Sequence, residues 1–574
     1  MTKYLKVLCT REQTTMLVFL LFGSLITVVF EFISLGSIPI FTTIIINQES
    51  ENQLLNIIDL NFLKNFTQEE IILYGSLCLG VIFLLKNILL SGLIYFEGKL
   101  IKDIRIYLGG KLFEKYLYKN YKFHLRTNPS ILLRNISKEV SQTSSVILSF
   151  LKLIRESLIL VAVFSLLLMS SFFITISIFF FLTFIVTIFF LYTKKILERN
   201  SRLIQAVNAS QIQHITQSFD AIKEIKILNK ENFVNTIAVK NMFKYENPFL
   251  INFFLTALPR PFLEVLVILS LIIISILITG SDQSIISLIP ILSLFTVSAV
   301  RLIPSFNSIS TALATIKSLR PSYKLVYSNL IDDKDTDKVP NINLSNEDLN
   351  FQRKIVFKDV SFTYENKNSS VINDINLEIV KGTNLGITGK SGSGKSTLIN
   401  LFIGLLQPDK GLICLDDKEL KHNIGKWQSL ISYVPQDIYL LDDTIKKNIA
   451  IGEEEDQIDY NRLDIAINST ELKSFIDKLP EKLDTFVGNR GVRISGGQKQ
   501  RIGIARALYL KREILILDEA TNSLDIENEE KIVNNIINQY QSKTIICIAH
   551  SSKVLEKFDN ILTLDNGKIS LGKN

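Results

Sequence analysis

Cysteine is scarce, with four residues in 574: Cys9, Cys78, Cys414 and Cys547, none at a spacing that chelates zinc or pairs with another. That excludes a zinc module and a disulfide-knit secreted scaffold, and all four read as free thiols. A large charge excess is missing too. Lys and Arg number 63 against 56 Asp and Glu, a formal +7, which makes no case for nucleic acid as a partner. Internal repeats and low-complexity tracts are absent. With 47% apolar and 21% charged residues the chain is neither disordered nor collagenous, and at about 150 residues per domain it should hold more than one folding unit.

Along much of the first half, charge itself is what is lacking. Residues 16–46 carry only Glu31, residues 71–96 carry only Lys86, and the 37 residues from Ser157 to Thr193 carry none. A bilayer core about 30 Å thick needs about 20 apolar helical residues, so the first two runs are each long enough to cross it. The third is too long for one span and suits a helical hairpin turning near Ser170 and Ser171. Residues 249–280 and 284–304, interrupted by Arg260, Glu264, Asp282 and Arg301, supply two more. The first run far exceeds a signal-peptide core and has no small-residue cleavage site after it, so it should stay as an anchor.

Six spans result, roughly 16–46, 70–100, 145–169, 171–195, 249–280 and 284–306, within an all-α transmembrane domain over residues 1–330. Residues 97–145 hold ten Lys or Arg and residues 194–248 hold nine, whereas Lys64 is the one cation between Asn47 and Glu70. Cytoplasmic retention of positive charge therefore puts both termini and both long polar loops inside. Residues 51–66 suit a short amphipathic helix on the outer surface, or equally an apolar loop packed on the helix ends.

Residues 331–352 turn polar, as a linker should, and residues 353–574 read as an α/β domain. Val356, Val360, Phe362 and Tyr364 alternate as a strand; Asn384–Thr388, Ile514–Leu517 and Thr544–Ala549 are short apolar β runs. Gly389, Lys390, Ser391, Gly392, Ser393, Gly394, Lys395, Ser396 and Thr397 fit a P-loop between a strand and a helix. Its glycines let backbone N–H groups approach phosphate, Lys395 neutralises the outer phosphates of ATP, and the Ser396 hydroxyl suits Mg²⁺. Asp518 and Glu519 close a buried strand, where doubly wound sheets bind ligands. Asp518 should join the Mg²⁺ shell, and Glu519 should position or deprotonate the attacking water.

Ile494–Gln498 reads ISGGQ, followed by Lys499, Gln500 and Arg501. This resembles the signature of ATP-binding-cassette proteins, and the resemblance extends over essentially the whole chain. It implies that Tyr364 stacks on adenine, that Gln436 of the VPQ string is the Q-loop residue beside Mg²⁺, that Asp525 lies in the D-loop and that His550 is the switch histidine. It further implies that two cassettes close face to face. Each ATP is then held between one P-loop and the partner's Ser495, Gly496, Gly497 and Gln498, where glycines opening a helix present N–H groups to a phosphate. Six spans and one cassette make a half-transporter, expected to work as a homodimer of a translocating ATPase. Departures from the family pattern are Ile494, Asn489, Asn522, Ser523 and Ser551.

Phe123–Arg134 and Phe219–Phe233 are similar to exporter coupling regions, although both also fit solvated amphipathic helices. For cargo, the informative residues are cations inside the spans. Lys86, Arg260 and Arg301 would suit an anionic phosphate or pyrophosphate headgroup if they line a cavity, and on charge alone pairing with Glu31, Glu156 or Glu264 is equally open. The segments around them resemble bacterial lipid-linked oligosaccharide flippases of the PglK type, in which these positions are arginines facing the cavity. That implies an anionic amphipathic lipid-linked cargo flipped across the bacterial cytoplasmic membrane. The alternative is a general exporter of drugs, peptides or other lipids.

Overall fold

The computed structural model describes residues 2–46, 67–258, 285–332, 350–364, 369–488, 491–522, 525–540, 542–549 and 551–572, with scattered residues of 261–272. The chain forms two compact units, Met1–Lys119 with His124–Lys334, and Asn120–Phe123 with Asp335–Asn574.

The first unit is helical. A short helix α1 (Thr2–Leu8) precedes α2 (Arg11–Ile46) and the long α3 (Gln68–Leu117). The start of α3 is fixed by a reciprocal cap: the Thr67 hydroxyl accepts from the Glu70 amide, and the Glu70 carboxylate accepts from the Thr67 amide at 2.8 Å. Two short helices, α4 (Tyr121–Arg126), whose first three residues are counted with the second unit, and α5 (Pro129–Arg134), lead into α6 (Val140–Ser170) and α7 (Phe172–Asp220). These two part at Ser171, whose extended backbone breaks the helix at the expected hairpin. A six-residue helix α8 (Ile222–Ile227) follows, then α9 (Glu231–Ala257), α10 (Ile285–Ser318) and α11 (Arg320–Ile331).

Among the described residues three stretches, Arg11–Thr42, Ile72–Leu117 and Pro129–Ser170, are long and apolar enough to cross a membrane. Much of the second half of the fifth expected span lies outside the described residues, as do the outer stretch 51–66 and most of the linker. The apolar helices turn large side chains outward: Val18, Phe19, Phe22 and Val29 on α2, and Leu77, Val81, Leu84 and Ile88 on α3 are exposed. In lipid that is the favourable side, because a helix satisfies its own backbone and leaves apolar groups for acyl chains. Where helices meet, small residues permit close approach. A Cβ on Gly75 would lie 2.8 Å from the Phe41 ring, and one on Gly36 would lie 3.2 Å from Leu166. Leu35, Ile159, Val163, Leu166, Leu294 and Phe295 form a core between α2, α6 and α10.

The second unit carries two sheets. β1 (Lys354–Phe362), β2 (Ile372–Val380), β4 (Lys410–Leu415) and β5 (Lys418–Glu419) form an antiparallel sheet in the order β2-β1-β4-β5. β3 (Asn384–Thr388), β6 (Ile431–Val434), β7 (Ile514–Asp518), β8 (Thr544–Ile548), β9 (Asn560–Asp565) and β10 (Lys568–Gly572) form the other, in the order β10-β9-β3-β8-β7-β6. Its inner pairs are parallel, and every residue of β7 and β8 is buried, which is why both read as unbroken apolar runs. Helix α12 (Lys395–Ile403) follows β3 and packs Leu398, Leu401 and Phe402 into the core. Trp427, the only tryptophan, is fully buried against Phe402 and donates its indole N–H to the Phe402 carbonyl at 2.6 Å. The unit also takes in Asn120–Phe123, with Tyr121 packed on its core and the Lys122 ammonium 5.1 Å from the Phe362 ring centre.

Candidate functional site

The strand β3 delivers the chain to the carboxyl edge of the parallel sheet, and the loop from Gly389 to Gly394 turns it into α12. Three glycines make the turn, with φ of +155° at Gly389, +78° at Gly392 and +106° at Gly394. A Cβ on Gly389 would lie 2.3 Å from the Leu564 carbonyl oxygen, while a Cβ on Gly392 would meet nothing within 4 Å. One glycine is thus required by close packing and the other leaves an open cradle. The Ser393 hydroxyl is buried within the loop and has no hydrogen-bond partner. Lys395 Nζ folds back to donate to the carbonyls of Gly389 (2.7 Å) and Lys390 (3.3 Å), so its charge hangs over the same loop. An open cradle, an orphaned hydroxyl and an ammonium fit a triphosphate at the start of a helix.

Around this loop the structure gathers the other expected residues. The Tyr364 hydroxyl lies 3.3 Å from the Thr397 hydroxyl, and its ring stands edge-on to Phe362, which places an aromatic face beside the start of α12. Asp518 ends β7 and accepts the Tyr433 hydroxyl at 3.0 Å. Burial pushes the Asp518 carboxyl above the ordinary aspartate range; the Tyr433 bond pulls it down, the Glu519 charge pushes it up, and the Lys395 charge again pulls it down. Burial, followed by the Asp518 charge, drives the Tyr433 phenol well above its usual value.

Glu519 follows with a left-handed backbone, φ +49°, a conformation that costs a non-glycine residue about 1–3 kcal/mol and clusters at functional sites. Its amide donates to the Ile548 carbonyl at 3.1 Å. Its carboxylate accepts from the Gln436 amide at 2.8 Å and from the Asn522 amide at 3.0 Å. The donors that suit Mg²⁺ are all hard oxygens, namely the Ser396 hydroxyl, the Asp518 carboxylate and the Gln436 amide oxygen.

Ser495 caps α13 (Gly496–Tyr509): its hydroxyl accepts from the Gln498 amide, and its own amide donates to the Gln498 side chain at 2.9 Å. Ser495 and Gly496 are exposed at the positive end of this helix, open to a ligand outside the unit. Asp525 is the residue before α14 (Ile526–Gln539) and accepts from the Asn528 side-chain amide, a bond that holds its exposed carboxyl below the usual range. His550, Asn489 and Ser523 lie outside the described residues. Tyr433 and the clamping role of Asn522 were not anticipated from sequence. For Tyr433 the signal was its place on β6, the strand paired in parallel with β7.

In the first unit, two of the three expected cargo cations are paired. Arg301 Nε lies 2.5 Å from the Glu31 carboxylate, and Lys86 Nζ is 3.5 Å from its other oxygen and 4.6 Å from the Phe83 ring centre. Arg260 lies outside the described residues. Of the segments similar to coupling regions, Phe123–Arg134 contains most of α4 and all of α5, and Phe219–Phe233 contains α8.

The Gly389 packing gives a direct test of the loop. Gly389→Ala should lower affinity for a fluorescent ATP analogue by about tenfold or more, because the added methyl must displace either the loop or the Leu564 carbonyl. Wild-type affinity in that variant would contradict the geometry described.

Comparison with known proteins agrees with this layout. The family described as "ABC transporter transmembrane region" matches residues 14–302, and that described as "ABC transporter" matches residues 372–522. A putative export ATP-binding/permease protein of Rickettsia bellii is 38% identical over 237 residues, 41% of each chain. ATP-dependent lipid A-core flippases of Vibrio cholerae and Wigglesworthia glossinidia brevipalpis are 38% and 41% identical over 213 and 217 residues; the matches cover 37% and 38% of this chain and 36% and 37% of theirs. The chain thus spans about two fifths of the length of the curated relatives it matches. A solved bacterial Atm1-family ABC exporter with ATP bound superposes with a TM-score of 0.78 at 21% identity, covering 97% of this chain and 95% of that one, a likeness of fold. Since the transmembrane match alone takes in more than half of the 574 residues, the chain belongs to the ABC transporter family.

Proposed function

We propose that two copies of this chain form an ATP-driven flippase that moves a polyprenyl-pyrophosphate-linked glycan from the inner to the outer leaflet of the bacterial cytoplasmic membrane, with both termini and both cassettes in the cytoplasm. The observation that carries the cargo class is the meeting of Lys86 and Arg301, from two apolar helices, on one buried carboxylate. Charge inside a span is expensive, about 2.5–3.5 kcal/mol on insertion scales, and a place that holds two cations around one anion suits a phosphate headgroup. The relatives named lipid A-core flippases favour a second cargo of the same chemistry, a phosphorylated glycolipid.

In this reading the loop from Gly389 to Thr397 wraps the phosphates, Lys395 neutralises the outermost and Tyr364 stacks on the base. Ser396, Asp518 and Gln436 hold Mg²⁺, which neutralises phosphate charge when bound. Glu519, steered by Gln436 and Asn522, orients the attacking water, and His550 senses the terminal phosphate. Ser495, Gly496 and Gly497 of one copy close on the ATP of the other, and Gln498 shapes that cap. Nucleotide then biases one of two arrangements of the helices, with the short helices at Phe123–Arg134 and Phe219–Phe233 transmitting the change.

Glu519→Gln should still bind ATP yet lose about 10²–10⁴-fold in turnover, as removal of a general base does. Asn522→Ala should lower kcat about tenfold with KM for ATP unchanged, because Asn522 holds Glu519 without touching nucleotide. Steady-state phosphate release measures both, and undiminished turnover in Glu519→Gln would refute its role. For cargo, combined Lys86→Gln and Arg301→Gln should cut ATP-dependent flipping of a fluorescent lipid-linked saccharide by at least about tenfold in proteoliposomes. Flipping at the wild-type rate would refute the headgroup site.

A further inference from the structure

Six charged residues of the membrane unit form one continuous string. Glu97 lies 2.5 Å from Arg155, Arg155 lies 3.5 Å from Glu156, Glu156 lies 3.7 Å from Arg301, and Glu31 takes both Arg301 and Lys86. Three carboxylates and three cations on α2, α3, α6 and α10 sum to zero. The two ends differ in access. Arg155 is held between Glu97 and Glu156 with 8% of its side chain exposed, whereas Arg301 keeps 24% and Lys86 13%, and the Glu31 between them keeps 6%. The Ser305 hydroxyl anchors Glu156 at 2.8 Å, so the Arg155 end is fixed by an extra bond. Glu31 has two cations from different helices around one carboxylate, and these are the more accessible cations of the string.

We propose that Glu31 is an internal stand-in for the anionic headgroup: in the absence of cargo its carboxylate fills the Lys86–Arg301 site, and cargo enters by displacing it. The inference rests on the cargo reading above and deepens it. A carboxylate brings one charge and two acceptor oxygens. A phosphate or pyrophosphate brings more of both, and the Arg301 guanidinium matches its geometry in a planar fork. Displacement leaves Glu31 without its two cations, a penalty that a weakly charged headgroup cannot offset. Glu31 therefore sets specificity by competition, rejecting neutral and weakly anionic lipids and admitting multiply charged phosphates.

The test uses the full chain in nanodiscs and measures binding of three probes: a polyprenyl pyrophosphate, lipid A and the neutral polyprenol. Glu31→Gln keeps shape but loses charge, and should bind a phosphorylated probe about tenfold more tightly than the wild type while polyprenol binding is unmoved. Glu31→Asp keeps the charge on a shorter stem and should gain by a smaller factor; it also serves if Glu31→Gln fails to fold. Glu97→Gln removes a carboxylate of the same string that touches neither Lys86 nor Arg301 and should give no gain, whereas a purely structural role for the string would move Glu31→Gln and Glu97→Gln alike. A gain with polyprenyl pyrophosphate supports both the stand-in and the oligosaccharide-carrier reading. A gain with lipid A alone supports the stand-in and overturns that carrier. No gain in either Glu31 variant with either phosphorylated probe overturns the proposal.

Discussion

A buried charge in an apolar helix must find its opposite, and the membrane unit is arranged around that requirement. Glu31 on α2 is 5% exposed and would be prohibitively costly alone; Arg301 from α10 and Lys86 from α3 meet it, and Arg155 with Glu97 and Glu156 repeats the solution nearby. The apolar surface of these helices fixes little about which faces meet, because lipid and a neighbouring helix are nearly equivalent to a leucine. The ion pairs, with small residues such as Gly75 and Gly36 permitting close approach, specify the arrangement instead. The same network that specifies the helices supplies the cations on which cargo recognition is proposed to rest.

The second unit meets a different constraint, that backbone N–H groups must point at a ligand. The parallel strands bring β3 and β7 to one edge, so the glycine loop after the first and the carboxylates at the end of the second face the same space. Glu519 holds a strained backbone there, and its carboxylate is drawn to Gln436 and Asn522. The strain is tolerated because the Glu519 amide remains bonded to β8.

Much of this was legible from sequence, and the division follows the range of the interactions. The glycine loop, the Asp518–Glu519 pair and the capped start of α13 are local patterns whose geometry a few consecutive residues determine. The break at Ser171 was likewise visible, since an uncharged run of that length must turn. Charge pairing was not decidable, because Arg301 and Glu31 are 270 residues apart and no periodicity links them. Tyr433 and Asp518, separated by 85 residues, meet only because β6 lies beside β7 in register. Asn522 is three residues from Glu519, close enough for its departure from the family pattern to draw notice, but its side chain's direction depends on the left-handed turn at Glu519.

The central claim is that ATP hydrolysis by this chain moves a phosphorylated amphiphile between leaflets. The most direct measurement is leaflet exchange in proteoliposomes carrying a fluorescent polyprenyl-pyrophosphate saccharide, a fluorescent lipid A and a neutral polyprenyl saccharide, with ATP added. The account predicts ATP-dependent movement of the pyrophosphate-linked probe and none of the neutral one. Equal movement of neutral and phosphorylated probes, or none of either phosphorylated probe while ATP is being consumed, would contradict it.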